Sequence, residues 1–275
     1  MGRPAGMDDE RAADGSGRLH VCVAAAERGG QAALDSFRSE LLVETKAGGP
    51  MDAVTAVDRA VQELVFDHVA DEYPDDAVVG EEDDALKRVP DEGAAWVVDP
   101  IDGTNNYVHG DGVWMTSVAA CRDGEPVAAA NYAPAADDLY VAGDGGTRRN
   151  GEPATTSDAA SPEAFLVNPI FGVSAADRRE LARVVDTVCS EFGDLRRVGC
   201  AQAALSGVAT GELEATVSTV RLNDWDTVAG VHLVRQAGGR ATDVHGDRWT
   251  PGSTGLIASN GEAHGALVDA FEPAE

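Results

Sequence analysis

Lysine is nearly absent from this 275-residue chain, because Lys46 and Lys87 are the only two and every other basic residue is an arginine. Acidic residues number 48 against 21 basic ones, which gives a net charge of −27. A polyanion repels nucleic-acid backbones and anionic membrane surfaces, so we expect neither as a partner. Molar salt screens the self-repulsion of such a chain. The composition therefore predicts a salt-adapted (halophilic) protein.

Long apolar segments and paired cysteines are also missing. No apolar run approaches the roughly 20 residues that span a bilayer, and residues 1–17 lack the apolar core of a secretory signal. The four cysteines show no CxxC spacing, which argues against a zinc site and against a disulfide scaffold. We therefore expect a cytoplasmic protein whose residues 1–17 form a flexible extension.

Hydrophobic periodicity divides the chain into two parts. Helical spacing predicts long helices over residues 19–42 and 53–73, and a buried strand follows at 94–98. From about residue 150 onwards, strand and helix patterns alternate. This change predicts an α+β subdomain over 18–150 and an α/β subdomain over 151–275, which together form one catalytic unit.

The most informative chemical pattern follows the buried strand, in residues 96–104 (WVVDPIDGT). We expect the strand to stop at Asp99, so that Asp99 and Asp102 converge across a turn. Gly103 permits a close backbone approach, and the free N–H groups around Thr104 form an anion site. Carboxylates beside an anion site repel each other and a phosphate, and a hard cation with oxygen ligands resolves that conflict. Taken alone, the string is equally typical of a solvated turn.

Three other carboxylates belong to comparable patterns. Glu81 follows a predicted strand, Asp226 opens an apolar helix, and Asp58 lies inside a predicted helix where aspartate is a poor helix former. Each also has an ordinary explanation, respectively an acidic run, a favourable charge at a helix N-terminus and a solvent-facing charge. Spacing alone does not bring these regions together.

Five motifs, in order, resemble the inositol monophosphatase family, within the lithium-sensitive, metal-dependent phosphatase superfamily. The likeness extends from about residue 19 to the C-terminus. The matching segments are DAVTAVD at 52–58, GEE at 80–82, WVVDPIDGTNNYVH at 96–109, VATG at 208–211, and WDTVAG at 225–230 with QAGG at 236–239.

The resemblance implies a fold, an activity and a metal centre. The fold would be α/β, a layered αβαβα sandwich, and the protein a homodimer. The activity would be Mg²⁺-dependent hydrolysis of a small phosphorylated polyol or sugar by direct attack of water. Two to three Mg²⁺ ions would be held by Glu81, Asp99, Asp102, Asp226 and the carbonyl of Ile101.

The resemblance also implies roles for residues around the metal. Thr104 and Asp58 would position and polarise the attacking water, with Glu81 as a further catalytic residue. Lys46 matches the lysine of the family's mobile active-site loop. Substrate contacts would come from the Gly103 and Thr104 backbone N–H groups, Asp102, Gly199, Cys200, Ala201 and Asp226.

The sequence leaves the substrate open. Inositol-specific members of the family carry a glutamate shortly before the Trp-Asp signature, whereas residues 216–222 contain no carboxylate here. Arg221 in that stretch either faces solvent or binds a second anionic group. Inositol monophosphate, fructose 1,6-bisphosphate and 3′-phosphoadenosine 5′-phosphate therefore all stay open.

Two other classes of protein share parts of this pattern. A haloacid-dehalogenase-type phosphatase separates its two aspartates by one residue, whereas two residues separate Asp99 from Asp102. A non-catalytic regulatory protein that binds divalent cations is the alternative from a different class. Against this alternative, the sequence lacks the alternating ligands of an EF-hand loop. Simple cation binding would also give Thr104 and Asp58 no function.

Overall fold

A computed structural model of the chain describes residues 6–39, 43–45, 53–82 and 85–272. Within these ranges the helices are α1 (Gly6–Ser36), α2 (Ala56–Glu72), α3 (Thr104–Val108), α4 (Ala175–Glu191), α5 (Ala201–Ala209), α6 (Val228–Gln236) and α7 (His264–Phe271). The strands are β1 (Val43–Thr45), β2 (Ala53–Thr55), β3 (Ala77–Gly80), β4 (Ala94–Asp102), β5 (Met115–Arg122), β6 (Glu125–Ala133), β7 (Asp138–Gly143), β8 (Gly146–Arg149), β9 (Glu152–Ala154), β10 (Leu166–Pro169), β11 (Asp194–Leu195), β12 (Ala215–Ser218), β13 (Arg240–Thr242) and β14 (Leu256–Ser259).

The larger sheet has seven strands in sequential order from β3 to β9. Only β3 and β4 run parallel within it, and each later strand pairs antiparallel with the one before. β5 and β6 form a tight hairpin closed by Asp123 and Gly124, which both have positive φ. Such a two-residue turn matches the right-handed twist of the flanking strands.

The smaller sheet has five strands in the order β11-β10-β12-β14-β13. β10 runs parallel to both β11 and β12, whereas β14 runs antiparallel to β12 and β13. β1 and β2 form a separate antiparallel pair.

The helices and the two sheets stack in five layers. α1 and α2 cover the outer face of the larger sheet, α5 and α6 lie between the sheets, and α4 and α7 cover the outer face of the smaller sheet. β4 shows why both faces must be covered: Trp96 and Val98 lie in the core under α1 and α2, and Val97 lies in the core between the sheets. The predicted αβαβα sandwich is confirmed.

The first two helices differ from their predicted bounds. α1 begins at Gly6, within the stretch predicted as an extension, where alanine, glutamate and arginine favour a helix. α1 continues through Gly29 and Gly30. Close packing favours glycine at position 29, because a Cβ there would lie 2.8 Å from the Val65 side chain of α2. β2 occupies the start of the predicted second helix, since β-branched residues favour a strand. No described helix combines the length and the hydropathy of a membrane span.

Candidate active site

β4 does not stop at Asp99, as predicted, but continues to Asp102 through a bulge. Asp99 pairs with Ser117 of β5 and Asp102 with Met115, so β4 advances three residues while β5 advances two. Residues three apart in a regular strand point to opposite faces of the sheet. The extra residue reverses this relation, and both carboxylates reach the same site.

Three carboxylates meet at this bulge. One oxygen from each of Asp99, Asp102 and Asp226 lies within 4.8 Å of the others. Asp226 does not open a helix, as predicted; it lies in the turn before α6, which begins at Val228. In that turn Asn223 Nδ2 donates to Asp226 Oδ2 at 2.9 Å, which holds the half-buried carboxylate towards the cluster.

Asp102 is anchored at the N-terminus of α5. Its carboxylate accepts from the Cys200 thiol at 3.1 Å and from the backbone N–H groups of Ala201 and Gln202. The Gly103 N–H also favours the charged form. Burial nevertheless raises the pKa of Asp102, and burial and Asp102 together raise the pKa of the Cys200 thiol. Cys200 therefore stays a neutral donor.

Asp99 has no such anchor. Its Oδ1 atom is buried and has no hydrogen-bond partner among the described residues. Burial raises the pKa of Asp99 well above its ordinary value, and the charge of Glu81 is the next cause. The charges of Asp102 and Asp226 raise it further.

The donor set fits a hard divalent cation. The pKa of Asp226 is also raised, by burial and then by the charges of Asp102 and Glu81. Three carboxylates at this separation, two of them buried and one half-buried, do not all ionise unless a positive charge joins them. Every ligand atom is a carboxylate oxygen, which is the preference of Mg²⁺ and Ca²⁺. The Asp99 Oδ1 atom, which has no hydrogen-bond partner among the described residues, would be stabilised most by contact with such an ion.

Glu81 directly follows β3 and lies close enough to raise the pKa of Asp99. Two side chains hold the backbone of its turn. Lys87 Nζ donates to the carbonyl oxygens of Gly80, Glu81 and Glu82 at 3.1, 3.0 and 3.3 Å. The buried Gln62 amide pairs with both backbone groups of Glu82, at 2.8 and 3.0 Å.

Thr104 and Asp58 lie side by side next to the cluster. Asp58 is fully buried in the first turn of α2, so the predicted solvent-facing alternative is wrong. Thr104 Oγ1 lies 3.1 Å from the Ile101 carbonyl oxygen and 3.5 Å from Asp58 Oδ1. A hydroxyl has one proton, so it donates to one of these acceptors at a time.

An open cavity of about 390 Å³ lies above the carboxylates. Gly103 borders it with φ of 90°, and a Cβ there would lie 3.0 Å from the Val113 carbonyl oxygen, so glycine is required. Asp99 lies beneath the cavity surface with 1% exposure. The predicted residues that line the cavity are Glu81, Asp102, Gly103, Thr104, Gly199, Cys200, Ala201 and Asp226.

Comparison with known proteins identifies this arrangement. The model of the inositol monophosphatase family matches residues 16–275. The chain belongs to the inositol monophosphatase family. It is therefore a phosphoric monoester hydrolase of the inositol phosphate type.

Similar proteins support the assignment of this phosphatase to the inositol monophosphatase family. It is 30% identical to inositol monophosphatase 2 of Solanum lycopersicum, over 94% of the chain and 98% of that protein. It is 30% identical to inositol-1-monophosphatase of Mesorhizobium japonicum, over 94% and 97%. Among solved structures, the Thermotoga maritima IMPase superposes with a TM-score of 0.83 at 29% identity, over 92% of this chain and 96% of that one.

Some functional features of the phosphatase were not predicted. Arg197 lines the cavity, whereas Arg221 does not; the Arg221 guanidinium lies beside Gly252. An arginine two residues before the predicted Gly199 contact, in so acidic a chain, was a signal that could have indicated Arg197. The roles of Gln62 and Lys87 had no signal in local sequence. Lys46 and Asp52 lie outside the described residues.

Proposed function

We propose that this phosphatase uses Mg²⁺ to hydrolyse the monoester of a small phosphorylated polyol or sugar. The observation that carries the proposal is the buried Asp99 Oδ1, which has no hydrogen-bond partner among the described residues, within a cluster of carboxylates beneath an open polar cavity. A cation satisfies that atom, and the cavity holds a substrate directly above it. The residues that would hold the ion are Asp99, Asp102, Asp226, Glu81 and the Ile101 carbonyl.

Bound Mg²⁺ would offset the charge of the phosphoryl oxygens and lower the pKa of water near them. The chain's own residues then position the reactants. Thr104, which lines the cavity, holds a water molecule and accepts a proton from it while passing its own proton to Asp58. The water oxygen forms a bond to phosphorus, the ester bond breaks, and the leaving oxygen takes a proton from solvent.

Asp58 suits this role because it is buried beside Thr104 and is not part of the three-carboxylate cluster. The Thr104 backbone N–H begins α3 and faces no helical acceptor, so it is free to bind a phosphoryl oxygen. In contrast, the Gly103 N–H favours ionised Asp102. We therefore assign the backbone contact with phosphate to Thr104 first.

The lining of the cavity favours a substrate rich in hydroxyl groups. Ser174, Asp177 and Asn223 offer donors and acceptors to a polyol or sugar ring. Arg197 is the one cationic side chain that lines the cavity among the described residues, and it supports a second candidate, fructose 1,6-bisphosphate. Its guanidinium would bind the phosphate that is not hydrolysed.

Phosphate release in molar KCl, with Mg²⁺ or with a chelator, tests the function. The panel is inositol 1-phosphate, fructose 1,6-bisphosphate and 3′-phosphoadenosine 5′-phosphate. We expect Mg²⁺-dependent release from at least one of the first two. Release that persists in chelator would contradict the Mg²⁺ dependence, and no release from any substrate would favour the regulatory, cation-binding alternative.

Arg197→Gln separates the two candidate substrates. If a bisphosphate is the substrate, the change raises its KM about 10-fold or more, as loss of a charged hydrogen bond predicts, and leaves inositol 1-phosphate unaffected. Arg196→Gln is the matched control, because Arg196 lines a different cavity. Equal effects of both substitutions on both substrates would contradict a specific role for Arg197.

Three coarser properties remain predictions of the same proposal. The charge of −27 predicts greater stability in molar KCl than in dilute buffer, which unfolding curves at both salt concentrations measure. Family membership supports a homodimer, which light scattering measures. A cytoplasmic location is consistent with four cysteines that form no disulfide in the structure, and fractionation of the source cell tests it.

A further inference from the structure

We propose that Gln202, buried between the sheets, is a positioning residue that fixes the Asp226 turn relative to Asp102. The inference rests on the proposed function, because its consequence is the geometry of the cation site. Gln202 has no solvent exposure and is among the largest fully buried side chains. It neither lines the cavity nor belongs to the carboxylate cluster.

Gln202 contacts both halves of the cluster with different groups. Its backbone N–H donates to Asp102 Oδ2 at the start of α5. Its side-chain Nε2 donates to the carbonyl oxygen of Trp225 at 2.7 Å. Trp225 directly precedes Asp226, so one residue joins a rigid helix end to the turn that presents the third carboxylate.

Asn131 on β6 fixes the orientation of the Gln202 amide. Asn131 Nδ2 donates to Gln202 Oε1 at 3.0 Å and to Ser206 Oγ at 3.1 Å. With its oxygen engaged in this way, the Gln202 amide can present only its nitrogen to Trp225. The buried pair is costly, since Asn131 Oδ1 has no partner among the described residues. An apolar pair of similar volume would fill this space without that cost, which is why we assign the pair a positioning role.

The other polar contacts of the Asp226 turn lie within the turn or involve segments other than Asp102, among them the Lys87 ammonium 5.7 Å from the centre of the Trp225 ring. Asn223 bonds Asp226 within the turn itself. The Asp224 carboxylate accepts from the Val89 N–H at 2.8 Å, which does not involve Asp102. Among the described residues, Gln202 is therefore the one whose side chain bonds this turn while its backbone bonds Asp102.

Gln202→Met tests the role, because methionine has a similar volume and length but cannot donate to Trp225 or accept from Asn131. The readout is Mn²⁺ affinity of the metal-free protein by calorimetric titration without substrate. We expect affinity to fall about 10-fold, the lower end of the range for residues that orient metal ligands. The substrate KM at saturating metal should stay unchanged.

Ser206→Ala is the matched control, because Ser206 also bonds Asn131 but does not contact the Asp226 turn; its Mn²⁺ affinity should equal that of the wild type. Asn131→Leu is a second variant that keeps Gln202 but frees its amide, and it should weaken Mn²⁺ binding in the same direction. If Gln202→Met does not fold, Asn131→Leu decides.

The outcomes separate this inference from the proposed function. A wild-type protein that binds no Mn²⁺ contradicts the proposed function itself. Wild-type binding together with unchanged affinity in the folded variants overturns the role of Gln202, even if their unfolding temperatures fall, because lost stability alone indicates a purely structural residue.

Discussion

Asp99 and Asp102 lie three residues apart on one strand, yet their surroundings differ in kind. The Asp102 region offers four donors, from the N-terminus of α5, the Cys200 thiol and Gly103. The Asp99 region offers other carboxylates and leaves Oδ1 without a partner among the described residues. The four donors therefore offset part of the cost of burying the Asp102 charge, whereas Asp99 Oδ1 depends on an added cation.

The contrast indicates that the two carboxylates serve different purposes: Asp102 is held in a fixed orientation, and Asp99 attracts the ion. A carboxylate with four donors stays in one orientation before any ion arrives. A carboxylate with a buried oxygen that has no partner among the described residues provides the electrostatic attraction for the ion, because its charge is otherwise not fully compensated. Substitutions at the two positions should thus change stability in opposite directions.

Asp99→Asn should have the largest effect on activity, a loss of about 1,000-fold or more in kcat/KM, since a metal contribution of several kcal/mol disappears. The metal-free variant should nonetheless be more stable than the wild type by about 1–2 kcal/mol, because a buried unpaired charge is removed. Phosphate release and urea unfolding in chelator measure the two effects. A destabilised variant would contradict our description of Asp99.

Asp102→Asn should lower the stability of the metal-free protein by about 2–4 kcal/mol. The new amide group turns N–H donors towards the donors of α5, and hydrogen bonds to a charged acceptor are lost. The same urea unfolding measures it. If Asp99→Asn and Asp102→Asn shift stability equally, the comparison between the two regions fails.

The pH dependence of stability should differ between metal-free and Mg²⁺-bound protein. The folded-state pKa values of Asp99 and Asp226 lie above the ordinary value of 3.8, so the folded protein binds more protons than the unfolded chain. Stability of the metal-free protein should therefore fall as pH rises above about 3.8 through those raised values. Saturating Mg²⁺ should remove the decrease.

Two buried histidines act in the opposite direction, and the control must account for them. Burial lowers the pKa of His232 and of His264 to about 4, so their contribution to stability is lost as pH falls below about 6.5. Both remain in Asp99→Asn. Subtracting its pH profile from that of the wild type isolates the contribution of Asp99, including its coupling to the other carboxylates, and identical profiles would refute its role.

Lys87→Met should have the smallest effect. Lys87 holds the Glu81 turn, on the Asp99 side of the cluster, through three carbonyl contacts. Because Lys87 is exposed, we expect Mg²⁺ affinity to fall about 3-fold, below the 10–100-fold typical of partners that orient metal ligands. The Mg²⁺ dependence of phosphate release measures it. Lys87→Arg should recover part of the loss, and a loss equal in both variants would contradict a positioning role.

Sequence analysis could predict the layers and the carboxylates of the candidate site but not the geometry that joins them. Motif order identified Glu81, Asp99, Asp102 and Asp226, because chemistry restricts the residue types at those positions. The sequence predicted a turn at Asp99, because a proline follows. The bulge that keeps β4 paired as far as Asp102 depends instead on the pairing with β5, which the sequence of β4 does not reveal.

The contacts that anchor the site carboxylates could likewise not be predicted from the sequence. Gln202 joins β6, α5 and the Asp226 turn, and Gln62 joins α2 to the Glu81 turn. Each is a common polar residue within an ordinary helical pattern. Only their burial in the folded chain distinguishes them from surface glutamines.

Mn²⁺ binding to the metal-free protein, followed by electron paramagnetic resonance of the free ion, tests the central claim most directly. Molar KCl suppresses weak binding to the acidic surface, and Asp99→Asn is compared with the wild type. We predict saturable binding by the wild type and at least about 100-fold weaker binding by the variant. Equal binding by both proteins would contradict the claim that the cluster around Asp99 holds the catalytic cation.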